Sequence, residues 1–170
     1  AAQRMTGCTT MKVRVKRSAN GSTNSPFSSG IGGSWSVIGK GMPVYDPARD
    51  STVAGGSGPQ RANDCSTWAY AVSGVDRGNN PALQLLAYLL GWRVNGVVSV
   101  GLGLDPALLD LPSFAIAAAI CDESVALAAG GSHRRYEGGG AYSDADDPNA
   151  VMDQLLAAMN AELVDDGGGI

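Results

Sequence analysis

The sequence predicts an α+β protein, and three observations lead to that class. Short strand-like segments and turn-rich loops fill the chain up to about residue 78. Helical patterns then begin near Pro81, Pro112 and Pro148, each of them suited to a first helical position. Further strand-like segments lie between and after these helices. The order β, α, α, β, α, β favours α+β over a parallel α/β fold.

Composition and charge indicate a folded chain with an uneven distribution of charge. Hydrophobic residues make up 44% of the 170-residue chain, which is enough to bury a core and argues against disorder. Six basic residues and no acidic residue precede Asp46, whereas six basic and sixteen acidic residues lie from Asp46 onward. This asymmetry predicts two surfaces with different surroundings, or simply the solvated faces of two substructures.

Residues 1–78 are predicted to form a β-rich segment with long loops. In "MKVRVKR" Val13 and Val15 alternate with Lys12, Arg14 and Lys16, the pattern of a half-buried strand with a basic outer face. "SWSVIGKGMPVYDP" predicts one or two short strands, and "TWAYAV" predicts another. The basic strand could follow phosphates of a nucleic acid, but a charged strand edge is the commoner explanation.

Residues 79–131 are predicted to be a helical segment with two short helices, over about 81–91 and 112–122. In "NNPALQLLAYLL" Asn80 can cap the helix, and leucines cover more than one of its faces. Such a helix suits packing against neighbouring chains, or it is the central helix of its own domain. The second helix places Phe114, Ala117, Ala118 and Cys121 on one stripe, with Cys121 as a small core residue.

Residues 132–170 are predicted to begin a further α+β domain as a β-α-β unit. "RRYEGGGAYS" is strand-like, and "AELVDDGGG" predicts a strand that enters a hairpin. Between them lies the best-defined helix, capped by Asp147. Its core-facing stripe comprises Val151, Met152, Leu155, Leu156 and Met159. Because the second strand of that hairpin is missing, the domain is predicted to be truncated and the chain to be an excerpt of a longer polypeptide.

The sequence predicts no catalytic, cofactor-binding or metal site, and therefore no enzyme. His133 is the single histidine and is predicted to lie on the surface. "GGSGP" around Ser57 departs from the G-x-S-x-G nucleophile pattern, and "GLGLDP" lacks the third glycine of a dinucleotide fingerprint.

Acidic residues suggest two kinds of site, a calcium loop and a catalytic carboxylate pair, but the sequence supports both only weakly. "SDADDPN" faintly resembles a calcium loop through Asp144, Asp146 and Asp147, but the required glycine and distal glutamate are missing. Helix capping explains Asp147 better, and the favourable helix N-terminus explains Asp146. Asp122 and Glu123 could serve glycoside hydrolysis, but adjacent residues point in different directions and solvation is the simpler interpretation.

Cysteine spacing and hydropathy argue against a disulfide-rich protein, a cysteine metal site and a membrane-spanning protein. Cys8, Cys65 and Cys121 lie more than fifty residues apart, which fits neither a disulfide framework nor a metal site and favours a reducing compartment. The longest apolar run, "FAIAAAIC", is too short to span a membrane.

Several phrases, taken in order, resemble one known family. They are "PVYDPARD", "STWAY", "NNPALQLLAYLLGWRVNGVVSVGLG", "LDLPSFAIAAAICDE" and "GGSHRRYEGGGAYSDADDPNAVMDQLLAAMNAELVDDGGG". The set is similar to the tail-tip hub proteins of long, flexible-tailed bacteriophages, the family of the lambda tip attachment protein J. The resemblance covers residues 35–169. The stretch between Trp68 and Asn80 is longer than in compact relatives, and His133-Arg134 replaces a more usual acidic-Pro pair.

The resemblance implies a structural protein of the virion, located at the tail tip and assembled in the cytoplasm of the bacterial host. It implies a homotrimeric baseplate hub with barrel or sandwich elements that joins the distal tail protein and other tail-tip proteins to receptor-binding parts. Such a hub surrounds the channel through which phage DNA passes during host attachment and genome ejection. Two alternatives stay open: a tail-associated cell-wall hydrolase, and a carbohydrate- or receptor-binding module.

Overall fold

Helices and three small antiparallel sheets alternate along the chain in the computed structural model, which describes residues 41–143, 145–164 and 167. The helices are α1 (Pro81–Leu90), α2 (Leu111–Cys121) and α3 (Pro148–Met159). The strands pair in sequence order: β1 (Ala71–Val72) with β2 (Val75–Asp76), β3 (Trp92–Val94) with β4 (Val97–Val100), and β5 (Ser124–Ala126) with β6 (Ser132–Arg134). The predicted α+β class is confirmed.

The three helices begin where local sequence predicts. Asn80, Asp110 and Asp147 each precede a helix and accept hydrogen bonds from backbone N–H groups of the first turn, over 3.0–3.3 Å. Proline at the first or second helical position removes a donor that has no partner inside the helix. Cap and proline together therefore fix each start.

Helix α1 is the central helix of this chain's own domain. All of its residues except Gln84 are buried, and it packs against both α2 and α3. The Gln84 side chain donates to the carbonyl oxygens of Gly78 and Gly138 at 2.7 and 2.9 Å. The leucines on every side of α1 are thus covered by its own chain, and the alternative in which neighbouring chains cover them is not needed.

The predicted core stripes of α2 and α3 are confirmed. Phe114, Ala118 and Cys121 are buried on α2, where Ala117 is half-buried against the same core, and Val151 and Met159 are buried on α3. The remaining members of the α3 stripe are half-buried and pack against the same core. This core lies in the compact unit formed by residues 40–170.

The strands are shorter than the sequence predicts. In "TWAYAV" only Ala71–Val72 form a strand, Ala69 makes a single bridge to Val44, and residues 65–67 form a short 3-10 turn. In "RRYEGGGAYS" the pairing ends at Arg134, before the three glycines that disfavour a strand. Residues 161–164 of "AELV" form no strand. The predicted strand "MKVRVKR" and residues 35–40 lie outside the described residues.

The described helices are short. None of them is long and apolar enough to cross a membrane.

Candidate functional site: a buried arginine–carboxylate network

The loop "VYDPARD" places a carboxylate in the interior. Asp46 is 1% exposed, and its Oδ1 accepts a hydrogen bond from the Ala48 N–H at 3.1 Å, which caps the short turn Pro47–Arg49. Its own N–H donates to Oε1 of Gln60 at 2.7 Å. A buried carboxylate also needs a cation, since an unpaired charge in the interior is strongly unfavourable.

Arg77 supplies that cation and bridges two acidic residues. Its Nε and Nη2 donate to Oδ2 of Asp46 at 3.1 and 2.7 Å, and its Nη1 donates to Oδ2 of Asp122. Asp122 follows α2 directly as its C-terminal cap. One guanidinium therefore ties the loop around Asp46 to the end of α2.

Arg134 extends the network to strand β6. Its Nε lies 3.4 Å from Oδ1 of Asp122, and its Nη1 and Nη2 donate to Oδ1 of Asn79 and to the carbonyl oxygen of Asp76 at 2.5 and 2.6 Å. We call Asp46, Arg77, Asp122 and Arg134 the Arg77 network. Two cations alternate with two anions, so formal charges within the network balance.

The burial and pairing of Asp122 correct the sequence-based interpretation of the "CDE" segment. The pair Asp122 and Glu123 was expected to be solvated, but the Asp122 side chain is only 17% exposed and pairs with two arginines. Glu123 pairs with Arg135 at 2.6 Å, and both of these side chains are about half exposed. The two carboxylates do point in different directions, as the sequence predicts, but one of them points inward.

A second cluster surrounds Asp50 at the other end of the same loop. Asp50 is 2% exposed and accepts hydrogen bonds from the Tyr45 hydroxyl at 2.8 Å and from the Thr52 hydroxyl at 2.6 Å. Nη1 of Arg61 lies 3.0 Å from Oδ1 of Asp50. Burial, together with the hydrogen bond to Asp50, raises the pKa of Tyr45. Burial works to raise the pKa of Asp50 as well, but the bonds from Thr52 and Tyr45 and the charge of Arg61 lower it below 3.8 on balance.

We therefore expect an acid-labile contribution from Asp50. A carboxylate whose pKa is lower in the folded state stabilises the fold fully above its unfolded pKa, and this contribution falls as the pH drops below about 3.8. Urea unfolding at pH 7 and at pH 3 should show this loss, and Asp50→Asn should show less of it. An equal loss in the wild type and in the variant would assign the acid sensitivity to other carboxylates.

His133 lies on the surface, as predicted. Its side chain is 58% exposed, and its Nε2 lies 3.3 Å from Oε2 of Glu137, four residues further along the chain. Nδ1 lies 3.0 Å from the Arg134 carbonyl oxygen. Among the described residues, no group of three or more histidine, cysteine, aspartate or glutamate side chains is arranged to hold a metal ion.

Replacing His133 with alanine should change the free energy of unfolding by less than about 0.5 kcal/mol, as exposed substitutions usually do. Urea denaturation of both proteins at pH 7 measures the difference. A metal ion bound at His133, detected by titration calorimetry with zinc, would contradict the expectation that this residue is a surface side chain without a ligand.

The acidic loop "SDADDPN" closes a turn and caps a helix. Asp147 caps α3, as predicted. Asp146 directly precedes this cap, and its Oδ2 accepts from the N–H and the hydroxyl of Ser143, at 2.6 and 3.2 Å. Asp144 lies outside the described residues.

A separate groove of about 360 Å³ opens between α1, α2 and the segment that follows α3. Its lining is mainly apolar, with Asp110, Ser113 and Glu162 as the members that carry polar side chains. The apolar members are Ala82, Leu85, Phe114, Ala117, Leu156, Met159, Ala161, Leu163 and Val164. The groove offers apolar contact area and carboxylates but no histidine, cysteine or lysine.

The Arg77 network is suited to holding segments of the chain together more than to catalysing a reaction. Arginine stays protonated at any physiological pH, so neither Arg77 nor Arg134 can carry a proton during a reaction. Both carboxylates of the Arg77 network are engaged by these arginines. Sequence reasoning missed the network because Arg77 lies in "GVDRGNN", which matches no motif.

Comparison of the chain with family models, with curated proteins and with solved structures found no match.

Proposed function

We propose that this chain is a structural component of a phage tail tip, as part of a homotrimeric hub at the distal end of the tail tube. In that role it joins the distal tail protein and other tail-tip proteins to receptor-binding parts, and it surrounds the channel through which phage DNA leaves. The proposal rests on the ordered phrases in the sequence and on where those phrases lie in space.

One observation carries the proposal: three of the phrases meet in the Arg77 network. "PVYDPARD" provides Asp46, "LDLPSFAIAAAICDE" provides Asp122, and "GGSHRRYE" provides Arg134. These residues are far apart along the chain and close in the fold. The phrases therefore belong to one folded unit, as segments of a single hub domain would.

The outer face of α2 supports the assembly of several chains. Ile116 is 62% exposed and Ile120 is 44% exposed, and these side chains, with exposed Ala119, lie on one face of the helix. No charged residue lies between Asp110 and Asp122. An uncharged apolar face on an otherwise acidic chain is where copies can approach with the least repulsion.

Labelling of intact particles tests the location. An antibody raised against the purified chain should decorate one end of the tail in negatively stained phage particles. Labelling of the capsid, or of the tail along its whole length, would contradict a tail-tip position. Pre-incubation of the antibody with the free chain is the control for specific labelling.

The oligomeric state tests the α2 face. In sedimentation experiments the chain should associate, and the double variant Ile116→Asp, Ile120→Asp should sediment as a monomer. Val97→Asp is the matched control, since Val97 is 70% exposed on the β3–β4 hairpin and should leave association unchanged. Equal association of all three proteins would remove the α2 face from the proposal.

A further inference from the structure

The β3–β4 hairpin turns through two residues, Asn95 and Gly96. Both have positive φ angles, +52° and +81°, as the tight turn between directly paired Val94 and Val97 requires. Asn95 is exposed, and its side-chain amide makes no hydrogen bond to any other residue that the structure describes. A primary amide is thus held at the tip of the hairpin, in water, directly before a glycine.

We propose that Asn95 is a site of spontaneous deamidation. The backbone nitrogen of Gly96 attacks Cγ of Asn95, a new N–C bond forms, and the amide nitrogen leaves as ammonia with the proton from the Gly96 N–H. The product is a five-membered succinimide. Water then opens this ring at one of its two carbonyl groups, which gives either aspartate or isoaspartate.

The neighbouring residue separates Asn95 from the other described asparagines. Gly96 has no Cβ, and a Cβ built there meets nothing within 4 Å, so the attacking nitrogen is unhindered. Asn80 is buried and precedes Pro81, whose nitrogen carries no hydrogen. Asn149 and Asn160 are exposed but precede alanine, Asn63 precedes Asp64 and Asn79 precedes Asn80, and in each case the Cβ of the following residue shields the nitrogen.

The hairpin is also held weakly enough to reach the reactive geometry. It has only two strands, and Val97, which closes the turn, is 70% exposed and contributes little buried area. Residues 95–97 at the tip are all exposed, and exposed segments with few buried apolar contacts open locally at low cost in free energy. Opening frees the backbone at Asn95 from its left-handed conformation and lets the two reacting atoms meet.

Deamidation at this position should loosen the hairpin. Isoaspartate carries the backbone through Cβ and Cγ and so adds one backbone atom, which a two-residue turn cannot absorb while Val94 stays paired with Val97. Strand β3 includes Trp92, whose ring packs edge-on against Trp68 with centroids 6.0 Å apart. The environment of Trp92 should therefore report the change.

Peptide mapping of the folded chain after incubation in warm, mildly alkaline buffer tests the proposal. The peptide with Asn95 should gain about 1 Da as its amide becomes a carboxyl group, and the peptides with Asn149 and Asn160 should keep their mass. The chain contains a second Asn-Gly pair, Asn20-Gly21, so in urea both pairs should convert at similar rates. An Asn95 peptide that converts in urea but keeps its mass in the folded chain would overturn the proposal.

The variant Asn95→Gly tests whether deamidation at Asn95 causes the change around Trp92. Glycine adopts positive φ freely, so the turn is kept while the reactive amide is lost. The fluorescence of the incubated wild type should shift, and that of the incubated variant should not. The same shift in both proteins would overturn the link between deamidation at Asn95 and the packing of Trp92.

Discussion

Replacing Arg77 with methionine should lower the free energy of unfolding by about 3–5 kcal/mol, the range for breaking a buried ion pair by removing one partner. The variant leaves Asp46, which is 1% exposed, without a cation, and it removes one of the two arginines on Asp122. Methionine keeps much of the length of the side chain, so the loss reports on charge and hydrogen bonds more than on packing. Urea denaturation followed by tryptophan fluorescence measures the difference.

Arg135→Met is the matched control for Arg77→Met. Arg135 also pairs with a glutamate, Glu123, but these side chains are 45% and 50% exposed, and an exposed pair contributes about 0–1 kcal/mol. Arg77→Lys should fall between the two, since one ammonium group cannot reproduce the planar fork that reaches both Asp46 and Asp122. Equal destabilisation by Arg77→Met and Arg135→Met would show that the Arg77 network does not hold the fold.

Gly101→Ala should be the most damaging single-methyl addition near α1. A Cβ at this position would lie 2.3 Å from the Tyr88 carbonyl oxygen and 2.9 Å from Cα of Gly91, both of them backbone atoms that cannot swing away. Its φ angle of +91° adds strain of about 1–2 kcal/mol for any side chain, and the overpacking adds about 1–3 kcal/mol. We therefore expect a loss of about 2–5 kcal/mol in the free energy of unfolding.

Gly96→Ala isolates the conformational part of that loss. Gly96 has a similar φ angle of +81°, but a Cβ there meets no atom within 4 Å. Only the strain of about 1–2 kcal/mol should appear. If Gly96→Ala and Gly101→Ala cost the same, the close approach of the hairpin to the end of α1 is not what requires glycine at residue 101.

Local chemistry made the helices predictable. Each start depends on a cap and a proline that are neighbours in sequence, such as Asn80 and Pro81. Each buried stripe depends on a spacing of three or four residues, such as Phe114, Ala118 and Cys121. These signals act within one or two helical turns, so no knowledge of distant residues was needed. The same holds for Asp147, whose capping role was predicted from the residues that follow it.

Strand lengths could not be predicted in the same way. A strand exists only where a partner lies beside it, and the alternation of side chains says nothing about where pairing stops. "RRYEGGGAYS" has a strand-like composition, but β6 ends at Arg134 because its partner β5 begins pairing at Ser124, opposite that residue.

The sequence by itself determined the α+β class, the starts of the three helices, the buried faces of α2 and α3, and the surface position of His133. The tertiary structure alone decided that Asp122 is paired rather than solvated, that α1 is covered by its own chain, and that Arg77 links two acidic residues. The bonds from Arg77 span 31 residues to Asp46 and 45 residues to Asp122. Charge interactions depend on distance in space, and a short sequence pattern carries no record of which residues 31 or 45 positions away will come within 3 Å.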